Sequence, residues 1–109
     1  MAWLVREGEV LASLELADGL AARVRGLLGR DGCEGALLLM GTRTVHSVGM
    51  RFALDVAFLD RELRVLGVTT LPPWRLARWR PRTRAVLEAE AGAFERWRLR
   101  PGDRLEVKA

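Results

Sequence analysis

Apolar and polar positions alternate with a period of two near the start of the chain. Val10, Ala12, Leu14 and Leu16 share one face and Glu9, Ser13 and Glu15 the other, which predicts a half-buried strand. The period then lengthens. Leu20, Val24, Leu27 and Leu28 fall on one helical stripe with Arg23 and Arg25 off it. Asp18 is placed to cap that helix, and Gly29 and Arg30 suit its C-terminus. Residues 31–35 are turn-rich, and the run Ala36-Leu37-Leu38-Leu39-Met40 reads as a buried strand. A second clear strand covers residues 53–59, with Leu54, Val56 and Phe58 on one face. Asp60-Arg61-Glu62 predicts a hairpin turn into a β-branched, apolar strand over residues 64–71. Pro72-Pro73 ends that strand, because proline cannot donate to a ladder. Residues 74–84 read as irregular. Residues 86–91 resume a strand, residues 93–97 fit one helical turn, and Pro101-Gly102-Asp103 turns into a last strand carrying Leu105 and Val107.

Many short strands and few helices predict an α+β, mainly β fold: a compact barrel-like or rolled antiparallel sheet with one packed α-helix. The alternating crossover helices of a doubly wound parallel sheet are missing. A length of 109 residues, half of them apolar, suits a single domain over residues 1–109 with one hydrophobic core. The longest apolar run, residues 35–40, is far too short for a bilayer, so no membrane partner is expected. The N-terminus meets Arg6 and Glu7 without the apolar core of a signal peptide, and Cys33 is the lone cysteine. Both point to a cytoplasmic protein without disulfides.

The net charge of +4 suggests an anionic partner, but it changes the picture less than its size implies. Lys108 is the only lysine, and an arginine skew of this kind is what a GC-rich genome produces. Acidic residues are also spread along the chain and offset the field.

Four segments in order carry a family resemblance. Arg25-Gly26-Leu27-Leu28-Gly29-Arg30 matches an Arg-Gly-Leu-Met-x-Arg helix end. Residues 46–60, His46-Ser47-Val48-Gly49-Met50-Arg51-Phe52-Ala53-Leu54-Asp55-Val56-Ala57-Phe58-Leu59-Asp60, match a central signature in which an aromatic-Met segment leads into a Leu-Asp strand. Val86-Leu87-Glu88 and Leu99-Arg100-Pro101-Gly102-Asp103 match a closing strand and a final turn. Together they resemble the prokaryotic family known as domain of unknown function 192, over nearly the whole chain. The resemblance implies a compact, mainly β fold and no particular activity. The family's usual Trp-Met-Lys-Asn-Thr is replaced by Gly49-Met50-Arg51-Phe52-Ala53, so any polar contact of that Asn or Thr is not available to this chain.

The densest polar cluster lies around the only histidine. Thr42, Arg43, Thr44, His46 and Ser47 precede Met50, Arg51 and Asp55. Asp55 alternates with Ala53 and Ala57, so its carboxylate shares a strand face with small side chains and needs a partner there. Arg25, Arg30, Arg43, Arg51 or His46 could provide one, or Asp55 could cap backbone donors and fix the fold. The functional reading is a non-catalytic binding or accessory protein. Its pocket, formed by His46, Arg51, Asp55, Arg43 and Arg25, would take a small anionic or hydroxylated ligand. The competing reading is a small hydrolase-like enzyme using the same cluster, but neighbouring His46 and Ser47 face opposite sides of an extended chain and no nucleophile elbow occurs. No catalytic residue is assigned. One histidine and one cysteine give no metal-ligand spacing, and no cofactor motif is present.

A second feature offers a different partner. Trp74, Arg75, Arg78, Trp79 and Arg80, continued by Arg82 and Arg84, interleave aromatic and cationic side chains as nucleic-acid or acidic-partner surfaces do. The same pattern also suits a solvated loop whose tryptophans cover a sheet edge.

Overall fold

The computed structural model describes residues 2–17, 35–41, 45–47, 50–77 and 80–109. Seven strands occur among them: β1 (Ala2–Arg6), β2 (Glu9–Ala17), β3 (Ala36–Met40), β4 (Leu54–Leu59), β5 (Val65–Leu71), β6 (Ala85–Glu90) and β7 (Glu106–Lys108). One short helix, α1 (Ala93–Trp97), follows β6. The strands lie in one sheet of order β5-β4-β6-β3-β2-β1-β7. Glu7 and Gly8 close the β1–β2 hairpin, both with positive φ as the favoured two-residue hairpin turn requires.

The sheet differs from the expected antiparallel one in a single pair. β2 and β3 run parallel, with Leu14 opposite Ala36 and Leu16 opposite Leu38. Parallel neighbours need a long connection, and the eighteen residues from 18 to 35 between them provide it. The expected helix within that stretch lies outside the described residues. β1 carries no period-two signal, because Trp3-Leu4-Val5 is a short apolar run.

The two edge strands meet. Arg64 and Arg104 form an antiparallel bridge, and the Val65, Leu105 and Gly102 N–H groups donate to Asp103, Leu63 and Val65 carbonyls respectively. The sheet is thereby rolled into a barrel. Leu4, Leu14, Leu38, Leu59, Leu87 and Leu105 pack inside it with Phe94 of α1, while Ala36, Ala57, Ala85 and Ala89 keep room for them. The opposite faces of β3, β4 and β6 are covered as well. There Leu37, Leu39, Val56, Phe58 and Val86 pack with Val45, Met50 and Ala77 from the connecting segments.

Candidate functional site

Asp55 projects from β4 on the same side as Ala57 and Leu59, toward the barrel interior. Its carboxylate is buried and accepts three hydrogen bonds. Thr70 on β5, its cross-strand partner, donates its hydroxyl to Oδ1 at 2.9 Å. The backbone N–H groups of Gly92 and Phe94 donate to Oδ2 at 2.9 and 3.0 Å. These are two of the donors that the first turn of α1 leaves without intrahelical partners. Asp55 therefore ties the helix to the barrel mouth, in place of a cap from Gly92, which has no side chain to offer.

A cleft of about 530 Å³ opens beside this junction, between β5 and the α1 segment. Asp55, Thr70 and Gly92 form polar parts of its wall, Val68, Phe94 and Leu99 apolar ones, and Glu95, Arg98 and Arg100 its charged ones. Arg98 has φ 55, the left-handed conformation that ends α1. Neither Arg98 nor Arg100 forms an ion pair with a carboxylate among the described residues.

His46 and Arg51 are exposed and do not line this cleft. His46 instead pairs by backbone with Leu76, in the segment whose Val45 and Met50 pack on the outer face of the sheet. Arg25 and Arg43 lie outside the described residues, as do Arg78, Trp79 and Cys33. Ser47 is fully buried. Its hydroxyl donates to the Pro72 carbonyl and accepts from the Arg75 N–H, the latter at 2.8 Å, so its position is that of a clamp on the following loop.

Glu88 is the functional candidate that sequence reasoning missed. It shares a strand face with Val86 and Glu90. β6 is central, and Glu88 sits between Val56 of β4 and Leu37 of β3 with 4% of its surface exposed. Burial in these apolar surroundings pushes its carboxyl up from 4.5 to about 7. Among the described residues nothing donates a hydrogen bond to it. No group of residues among those described has the makings of a metal site.

Residues 3–107 match the model of the DUF192 family, described as "Uncharacterized ACR". The UPF0127 protein of Pyrococcus horikoshii is 31% identical over 105 residues, which cover 92% of this chain and 88% of that protein. The UPF0127 protein of Pyrococcus abyssi is 32% identical over 105 residues, covering 92% and 86%. A crystal structure of a protein of unknown function from Novosphingobium aromaticivorans superposes with a TM-score of 0.82 at 23% identity, over 96% of this chain and 82% of that one. A Sinorhizobium meliloti protein, provisionally described as a transcription regulator, superposes with a TM-score of 0.83 at 23% identity over 97% and 91%. At such identities the two structures establish the fold.

Proposed function

The chain belongs to the DUF192 family, and since that family is described as uncharacterised we propose its function from the geometry: a non-catalytic binding domain whose cleft beside Asp55 takes a small anionic or hydroxylated ligand. The observation that carries this reading is the pairing of a fixed floor with unneutralised cations. Three hydrogen bonds hold Asp55, Thr70 and α1 in one arrangement, and Arg98 and Arg100 stand over it without ion pairs among the described residues. A preorganised wall with guanidinium donors suits carboxylate, phosphate or sulfate groups, which arginine contacts in a bidentate manner. Glu95 and the Thr70 hydroxyl offer acceptors for ligand hydroxyls. Of the residues singled out from sequence, Asp55 is kept in this reading as the residue that positions the wall.

Titration of 15N-labelled protein with phosphate, citrate and neutral hexoses tests it. The expected result is chemical-shift change confined to Thr70, Gly92 and residues 95–100. Replacing Arg98 and Arg100 by Gln is expected to weaken anion binding about tenfold or more, since each charged hydrogen bond removed is worth about 1.5–3 kcal/mol. Shifts that map elsewhere, or none at millimolar ligand, would sink the reading. We also take the protein to be a single-domain, cytoplasmic one, supported by its lone cysteine, and no described helix is long and apolar enough to cross a membrane. Cell fractionation checks the location.

A further inference from the structure

Between Glu62 and Glu88 the chain contains no acidic residue and six arginines. Five of these fall in residues 72–84, the connection from β5 to β6, and its course decides where they are displayed. It starts at Leu71, opposite Leu54 at one end of β4. There Ser47 organises the loop. The Trp74 N–H donates to the Ser47 carbonyl at 2.9 Å, the Ser47 N–H to the Arg75 carbonyl at 2.8 Å, and the Ala77 N–H to the Val45 carbonyl at 2.8 Å. Trp74 is held at φ 63, a conformation that is an outlier for a bulky side chain. The clamp therefore holds a strained residue whose indole is not packed away: Trp74 is 63% exposed and its neighbour Leu76 75% exposed.

Further along, Ala77 and Arg80 lie on the outer face of the barrel. Ala77 is buried in the outer apolar cluster, and the Arg80 guanidinium lies 5.4 Å from the centre of the Phe58 ring. Gly67 makes room for that guanidinium, since a Cβ there would come 2.7 Å from its central carbon. The Arg84 N–H donates to the Leu59 carbonyl at 2.8 Å, at the other end of β4. Trp74, Arg75, Arg80, Arg82 and Arg84 are thus spread along roughly 17 Å, the rise of a six-residue strand. None of these four arginines forms an ion pair among the described residues. The nearby acids have other work: Asp60 accepts from the Glu62 and Arg64 N–H groups, and Glu62 stands 3.9 Å from Arg104.

We propose that residues 72–77 and 80–84 form a binding strip for single-stranded nucleic acid, with Trp74 stacking on a base and Arg75, Arg80, Arg82 and Arg84 contacting successive phosphates. A linear array of cations with one rigidly presented aromatic matches a polyanion with exposed bases, where stacking and phosphate neutralisation act together. An anionic membrane would favour a contiguous apolar tip instead, whereas among its described residues this strip carries four arginines against two exposed apolar side chains, Trp74 and Leu76. The strip is separate from the Asp55 cleft and does not depend on the reading given for it.

The test is fluorescence anisotropy with labelled single strands of about 10 nucleotides, within the usual site sizes. Binding is expected at low salt, with log affinity falling against log salt at a slope of about −3 if four phosphates are neutralised. Exchanging Arg80 and Arg82 for Gln should reduce that slope by about half. Trp74→Gly removes the indole while accommodating the positive φ, so the variant remains folded, and it should weaken binding about tenfold or more through lost stacking. No salt-sensitive binding, binding indifferent to both substitutions, or equal affinity for duplex DNA would each overturn the proposal. So would binding to phosphatidylserine vesicles without binding to oligonucleotides, which would assign the strip to a lipid surface.

Discussion

Glu88 and Asp55 are both buried carboxylates on neighbouring strands, and they face opposite sides of the sheet. Asp55 faces the barrel mouth and meets three donors, whereas Glu88 lies between Val56 and Leu37. Desolvation raises the folded-state value of Glu88 to about 7 from 4.5. Between those two values the folded protein holds a proton that the unfolded chain has released. Stability should therefore fall as pH rises from 4.5 through 7 and level off above, by about 3 kcal/mol for a shift of this size. Urea denaturation across that range checks it. Glu88→Gln, which stays neutral at every pH, is expected to remove most of this decline and to be more stable than the parent at pH 8. An unchanged pH profile in that variant would show that another group carries the dependence.

At the level of elements, the loop after β5 is held by its contacts and not by its own propensity. Pro72-Pro73 stops the strand, but no local rule places Trp74 at a positive φ. The Ser47 backbone and hydroxyl do so from 25 to 28 residues away. Ser47→Ala keeps the backbone bonds and removes the hydroxyl ones, leaving the Arg75 N–H without its acceptor. The expected cost is about 0.5–1.5 kcal/mol, the net worth of a hydrogen bond whose donor is only partly buried. Amide exchange at Arg75 should accelerate while that in β1 and β2 stays unchanged. Exchange that rises uniformly would mean Ser47 supports the whole fold and not this loop. α1 shows the same logic, since a five-residue helix is too short to persist alone and depends on Asp55 and on Phe94 inside the barrel.

For the whole molecule, the decisive event is the meeting of the sheet's two edges. Backbone bonds between residues 63–65 and 102–105 join β5 to the approach of β7, so the barrel leaves no long open edge there. Arg6 reinforces this closure from β1. Its guanidinium donates to the Trp97 and Arg98 carbonyls at 2.8 and 3.1 Å and to the Asp103 carboxylate at 3.1 Å. Arg6→Ala would free two carbonyls and one carboxylate of the C-terminal segment together. A loss of about 2 kcal/mol is expected, since these charge-assisted bonds are only partly exposed to water. The midpoint of chemical denaturation should shift accordingly, and a variant within a few tenths of the parent would show the closure to rest on the backbone alone.

Local pattern was enough for much of this fold. The alternation in β4 separated Leu54, Val56 and Phe58 from Asp55 and Ala57, the two faces the barrel keeps apart. Turn residues marked the Asp60 hairpin and the Pro101-Gly102 corner, and the helical turn at residues 93–97 is α1. It also singled out Asp55 as a carboxylate needing a partner. Tertiary structure alone supplied those partners, because Gly92 and Phe94 stand 37 and 39 residues further along the chain. It also left His46 and Arg51 off the Asp55 cleft, paired β2 with β3 in parallel, and buried Glu88 between apolar residues of two other strands. Periodicity is a property of neighbouring residues and can be read along the chain. Which face becomes the inside, and what covers the outside, depends on pairings between distant strands that no local window contains.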